Sequence, residues 1–278
     1  MTRARIAGLS VYPVKACRGL DLPRVQVAPT GLATEGVRDR GWMVVDAGGR
    51  FVTQREAPEL ALVRTAVRDG RLSLDVPGTG PVVPEADGPA IGVTVWRSNV
   101  RGVDAGHACA RALSAHLGRE VRMVRFDDAL PRPCNPDWVG ASGATTLFAD
   151  GYPVLVIGRA SLDDVNARLA AKGFPALPMN RFRPNVVLDG LEPYDEDHLD
   201  TITAGEVTLK LVKPCTRCEV TTTDQETAHR NLEPLRTLAT YRQNDRAGGV
   251  TFGMNAIVVA GAGASLAVGE PVDVAFRF

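Results

Sequence analysis

Short apolar runs closed off by glycine and proline constrain this chain more than any other feature. Between Ile6 and about Val100, five segments read as strands: Ile6 to Tyr12, Val25 to Ala28, Trp42 to Val45, Arg71 to Leu74 and Val93 to Trp96. Ala47-Gly48-Gly49, Asp69-Gly70 and Gly78-Thr79-Gly80-Pro81 stand between them. Glycine reaches positive φ freely and proline pins φ, so these tetrads and triplets place the chain in turns. The first half is therefore mostly β. A helix is expected over Asp104 to Leu117, with Ala108, Ala112 and Ala115 or Leu113 inward and Gly118 as its stop.

Pro131, Pro133 and Pro136 lie within Phe126 to Asp137 and bar a continuous helix or a central strand there. A domain boundary is placed at that point, giving domains 1–125 and 126–278. In the second, Tyr152 to Ile157 reads as a strand and Ser161 to about Lys172 as a helix, with Ser161 and Asp164 as a capping arrangement and Gly173 as the stop. Phe174 to Asn180 is a proline-interrupted loop. Val186 to Leu188 and Gly205 to Val212 are strands, Pro234 to Tyr241 is a short helix, and Ala256 to Ala260 forms a closing hairpin with Pro271 to Phe276. Helices are too few for a doubly wound sheet, and no GxGxxG follows a strand. The expected class is α+β, predominantly β: a β-rich N-terminal domain and a β-barrel-like second domain with accessory helices.

The 278 residues, 45% of them hydrophobic, suffice for a packed core. Lys+Arg and Asp+Glu are both 32, so no overall field draws the chain to nucleic acid or an anionic membrane, and neither partner is expected. The basic start Met1-Thr2-Arg3 is followed by too short an apolar stretch for a secretory signal, and no segment approaches a membrane span. Five irregularly spaced cysteines do not form a disulfide framework, which points to a reducing cytoplasm.

Chemistry concentrates in Val212-Lys213-Pro214-Cys215-Thr216-Arg217-Cys218-Glu219-Val220-Thr221-Thr222. A CxxC pair is compatible with a zinc half-site, a redox dithiol or a structural loop. A closed four-thiolate zinc site lacks ligands, because Cys17, Cys109 and Cys134 are scattered singly. A thioredoxin-like dithiol needs a helix start, whereas Gly205 to Val212 and Glu219 to Thr223 read as strands flanking a loop. His107, His116, His198 and His229 show no ligand spacing, and Ser142 lacks the context of a nucleophile elbow.

Val11-Tyr12-Pro13-Val14-Lys15, Arg38-Asp39-Arg40-Gly41-Trp42, Phe148-Ala149-Asp150-Gly151-Tyr152-Pro153, Phe182-Arg183-Pro184-Asn185, Cys215-Thr216-Arg217-Cys218 and Phe252-Gly253 form an ordered set across nearly the whole chain. It resembles the MOSC-domain proteins, and within them the mitochondrial amidoxime-reducing component and its bacterial counterparts. The resemblance implies a MOSC N-terminal β-barrel-type domain followed by a MOSC domain, and a molybdenum cofactor (Mo-molybdopterin). It makes Cys218 the metal ligand and a catalytic residue, with Cys215 near the metal but unbonded. It places Lys15, Arg40, Arg183 and Asn185 around the cofactor, with Gly151, Tyr152, Thr216 and Arg217 as further contacts.

Asp150 is expected to organise the site or move protons. Arg40 has a rival role in a surface salt bridge with Asp39 or a glutamate, and Arg181 reads as a solvated neighbour. Arg217 and Lys213 are expected to favour the Cys218 thiolate. Ala16 and Gly151-Tyr152 depart from the hydroxyl-bearing residues of the animal enzymes, so backbone N–H groups would substitute there. The implied activity is reduction of hydroxylamines, amidoximes or N-hydroxylated bases; the alternative is a sulfur or cofactor carrier with a persulfide on Cys218. Neither a C-x4-C-x2-C pattern nor a dinucleotide fingerprint is present, so a separate one-electron donor of ferredoxin, flavin or haem type, with its reductase, is expected.

Overall fold

The computed structural model describes residues 4–277. Seven strands close a barrel in the order Val154–Gly158, Val186–Asp189, Ala4–Val11, Pro271–Phe276, Leu199–Ala204, Val207–Thr216 and Gly249–Ala260. The last pairs back onto the first through Val154↔Ala256 and Val156↔Met254. Its interior is filled by residues such as Ile6, Leu9, Val156, Leu188, Leu209 and Met254. The pair Val154–Gly158 and Val186–Asp189 is parallel, so the chain must cross over between them, and the helix Arg159–Ala170 makes that crossing. The N-terminal strand Ala4–Val11 lies between two strands from the other end of the sequence, as long-range pairing alone can place it.

The rest of the first half builds smaller antiparallel sheets. Trp42–Asp46, Val121–Phe126, Ser98–Asp104 and Ala90–Val95 form one of them, and Arg64–Arg68, Arg71–Val76 and Gly80–Val82 another. Arg24–Ala28 shows why: Val25 and Val27 are buried while Arg24 and Gln26 face water, the period-two pattern of a one-faced sheet. The protein is predominantly β, as the turn spacing predicts. No helix among the described residues is long and apolar enough to cross a membrane.

Several local expectations differ from the structure. The first helix spans His107–Leu117 and buries Cys109, Ala112 and Leu113, leaving Ala108 and Ala115 exposed. Asp104 instead ends a strand, and its carboxylate accepts from the Gly106 N–H at 2.8 Å. Gly118 does stop that helix, at φ 63°. Ser161 does not cap the next helix. Glu196, far along the chain, accepts from Gly158 N–H at 3.1 Å and Ser161 Oγ at 2.7 Å, so the cap is tertiary. Pro136 opens a one-turn helix, Pro136–Val139, capped by Asn135.

The hairpin of Ala256 to Ala260 with Pro271 to Phe276 does not form. Gly249–Ala260 pairs with Val207–Thr216, while Pro271–Phe276 pairs with Leu199–Ala204. Between them the chain leaves the barrel to add Ser265–Ala267 to Arg24–Ala28. Glu219 to Thr223 is not a strand but a 3-10 turn, Glu219–Thr222. The Thr221 and Thr222 hydroxyls donate back to the Cys218 and Glu219 carbonyls at 2.9 and 2.7 Å, local bonds that displace strand pairing. The preceding strand runs to Thr216, and its ladder shifts register between Pro214 and Thr216, where proline has no N–H to offer.

Candidate functional site

A cleft at one end of the barrel gathers segments from both halves of the chain and encloses about 890 Å³ counted out to its open mouth. Lys15, Arg40, Asp150, Gly151, Tyr152, Arg183, Asn185, Thr216, Arg217 and Cys218 all line it. The strand Ala4–Val11 delivers Lys15 just beyond its end, and Val207–Thr216 delivers the two thiols. Three wall residues, Ala16, Arg40 and Arg183, take positive φ of 70°, 46° and 55°. Non-glycine residues adopt that conformation at a cost, and such strain concentrates at functional sites. Arg183 therefore departs from the extended form expected before Pro184. The Phe252-Gly253 pair has a steric reason: a Cβ on Gly253, at φ 75°, would sit 2.8 Å from the Val156 carbonyl and 2.6 Å from Ile157.

Lys15 is buried and donates to the Phe148 carbonyl at 2.9 Å and to Asp150 at 2.5 Å. Burial pushes its ammonium below the ordinary lysine value, and Asp150 pulls part of the way back. Crowding by the cleft walls pushes the Asp150 carboxyl up. The Lys15 ammonium, the Trp96 Nε1–H bond at 3.0 Å and Arg55 outweigh that and hold it well below the usual carboxylate range.

Arg40 pairs with Asp39, but the pair is interior rather than on the surface: Asp39 is 3% exposed, and Arg40 also donates to Asn185 Oδ1 at 3.0 Å. Asn185 is spent entirely within the protein. Its Nδ2 donates to the Ser10 carbonyl at 3.1 Å and Asp39 at 2.9 Å, and its Oδ1 also accepts from Leu155 N–H at 3.1 Å. Tyr12 lies against both cations, with the Arg40 and Arg183 guanidiniums 4.4 and 4.3 Å from its ring centre. Burial lowers the Arg183 pKa to about 10. Among the described residues its one side-chain hydrogen bond runs from Nη1 to Gln225 at 3.3 Å, and Nη2 has no partner.

The guanidinium on Cys218 is not Arg217. Arg55 Nη2 donates to Cys218 Sγ at 3.0 Å, while Arg217 donates to Cys215 Sγ at 3.3 Å and the Phe182 carbonyl at 2.7 Å. Lys213 lies over the Trp138 ring, outside the cleft lining. Burial raises the Cys215 thiol above the ordinary cysteine value, with Arg217 opposing. Arg181 is not solvated: it is 3% exposed, pairs with Asp224 at 2.8 Å and lines the cleft.

Sequence reasoning also missed Gln54 and Arg55, a polar pair that follows the buried Phe51-Val52-Thr53. Gln54 and Gln225 exchange side-chain hydrogen bonds at 3.0 Å in both directions, tying the halves together beside Arg183. Arg132, set between two prolines, is 6% exposed. It donates to the Leu147, Ala149 and Asp150 carbonyls at 2.8, 2.5 and 3.0 Å, which fixes the loop that carries Asp150.

Residues 3–120 match the MOSC N-terminal beta barrel domain and residues 144–273 the MOSC domain. Mitochondrial amidoxime-reducing component 1 of Mus musculus is 34% identical over 86% of this chain and 72% of its own length. The human protein of that name is 32% identical over 86% and 72%, and component 2 of Rattus norvegicus 33% identical over 84% and 71%. This chain belongs to the MOSC-domain family.

The cleft of this MOSC protein suits an anionic group. Lys15, Arg40, Arg55, Arg181, Arg183 and Arg217 line it against the single lining carboxylate of Asp150. Arg181 Nε, Arg183 Nη2 and Arg217 Nε are buried donors without partners, the condition an added acceptor relieves. A side chain at Gly151 would meet nothing within 4 Å, so its absence leaves the cleft wall open. No group of three or more His, Cys, Asp or Glu side chains that could hold a metal ion occurs among the described residues. Cys215 and Cys218 place two thiols, soft donors, on the cleft lining.

Proposed function

We propose that this protein is a molybdenum-cofactor-dependent reductase that removes oxygen from N-hydroxylated compounds such as hydroxylamines, amidoximes and N-hydroxylated bases. The names of its relatives support reduction of amidoximes. The carrying observation is Cys218, whose sulfur is held by Arg55 inside a cleft with six cationic lining residues and one lining carboxylate. Cys218 would be the protein ligand to the metal, and the Arg55 N–H would stabilise its thiolate. Arg181, Arg183 and Arg217, with their unpartnered N–H groups, would hold the phosphate and polar edges of the pterin. When bound, the cofactor supplies the two-electron, oxygen-accepting chemistry.

The protein's own contribution is orientation and charge. Asp150 Oδ1 accepts from Lys15 and Trp96. Its Oδ2 has no hydrogen-bond partner among the described residues and would accept an N–H from the substrate. Held anionic at neutral pH, this carboxylate orients a substrate rather than donating a proton to it. Electrons would come from a separate one-electron donor protein with its reductase. All five cysteines are free, which suits a reducing compartment such as the cytoplasm.

Protein produced in a cofactor-making host should contain molybdenum by elemental analysis. It should reduce benzamidoxime with reduced viologen, and fail with NADH or NADPH until a donor system is added. Molybdenum-free protein with a cyanide-labile sulfur on Cys218 would replace this reading with the carrier.

A further inference from the structure

The hairpin Ala90–Val95 and Ser98–Asp104 pairs Val95 with Ser98, leaving Trp96 and Arg97 as a two-residue turn. Trp96 occupies the first central position at φ 55°, where glycine is the ordinary occupant because a Cβ is strained. The residue is nonetheless tryptophan, and 43% exposed. None of the other exposed large apolar side chains among the described residues lines the candidate cleft or the second one that adjoins it. The two clefts share Thr53 and Arg55, and Trp96 stands on the wall of the second. Its ring is fixed by Phe51 at 5.1 Å between centroids, by the Arg55 guanidinium at 4.5 Å and by Nε1–H donation to Asp150 at 3.0 Å.

Those contacts account for the ring's placement but not for its exposure: an aromatic that only supported Arg55 and Asp150 could be buried, and a plain turn would use glycine. We infer that Trp96 is a specificity-determining residue: its exposed ring favours substrates whose N-hydroxylated nitrogen is borne on a planar, delocalised body over small aliphatic hydroxylamines. This rests on the reductase reading above. A planar body laid along the exposed ring brings its N–OH toward Cys218 past Arg55 and its amino N–H toward Asp150. The ring is already ordered, so little conformational entropy is lost on contact. A small hydroxylamine reaches Cys218 without touching it.

The test uses cofactor-loaded protein with reduced viologen, comparing benzamidoxime with N-methylhydroxylamine. Trp96→Leu should raise the KM for benzamidoxime about tenfold relative to that for N-methylhydroxylamine, the scale of one aromatic stacking contact. Trp96→Phe should restore most of that discrimination. Equal KM changes for both substrates, or a kcat loss without a KM change, would make Trp96 only a support for Arg55 and Asp150 and overturn the inference. Binding read by tryptophan fluorescence is independent of turnover: benzamidoxime should quench wild-type protein saturably and lose that component in Trp96→Phe. Quenching without turnover of either substrate would sink the reductase reading and leave the platform standing, whereas turnover without Trp96-dependent quenching would sink the platform alone.

Discussion

Asn185 and Arg183 stand two residues apart on one wall, yet only the removal of Asn185 should destabilise cofactor-free protein. Asn185→Ala deletes four hydrogen bonds in a site 1% exposed. Asp39 and Arg40 keep each other, but the Ser10 carbonyl and the Leu155 N–H lose this partner, at about 1–3 kcal/mol each. A total of about 4 kcal/mol, against about 2.1 cal/mol/K of unfolding entropy per residue, lowers Tm by roughly 7 °C. Arg183→Gln is different. A fall from 12.5 to about 10 means that folding disfavours its charge by about 3 kcal/mol, at ~1.36 kcal/mol per unit. Losing the charge relieves that cost, while losing the Tyr12 contact and the Gln225 bond takes back about 2–3 kcal/mol. The two nearly cancel, so Tm should stay within about 2 °C while molybdenum occupancy falls, because the unpartnered Nη2 is gone. Scanning calorimetry at neutral pH, beside elemental analysis of loaded samples, reads both quantities. If Arg183→Gln melts as far below wild type as Asn185→Ala, Arg183 is a structural cation and the anion site is misassigned.

Two further outcomes are expected. Cys218→Ala should abolish molybdenum retention and Cys215→Ala should keep most of it; elemental analysis showing equal loss would leave the ligand assignment without support. Glu196 is 0% exposed, and burial raises its carboxyl above the ordinary value despite the bonds from Ser161 and Gly158. The native state thus holds this proton more tightly than the unfolded state. Its contribution is full below the unfolded pKa of about 4.3 and is lost as pH rises through the folded value. Relative to Glu196→Gln, wild-type protein should lose stability as pH rises above the unfolded value of about 4.3; denaturant titrations giving a pH-independent gap would refute the raised carboxyl.

Local patterns were read correctly where neighbours in sequence carry the information. Val25 and Val27 alternate with Arg24 and Gln26, Gly118 ends its helix, and the turn glycines bound the early strands. The reading failed where a side chain bonds to its own backbone, as Thr221 and Thr222 do, or where a cap arrives from a distant segment, as Glu196 does for the helix Arg159–Ala170. It also missed Arg55 and Arg132, because a lone arginine carries no periodic signal.

The sequence alone determined the β-rich class and the ordered motif set, and the resemblance carried by that set pointed to ten residues that the structure brings to one cleft. Only the tertiary structure decided which side chains meet there. Asn185 became a fully bonded strut, Arg181 an interior cation, and Arg55, 163 positions away in sequence, the partner of Cys218. The reason is physical: residue type limits which hydrogen bonds a side chain can make, whereas barrel closure selects which donors and acceptors meet, and that selection depends on strand pairings between opposite ends of the chain.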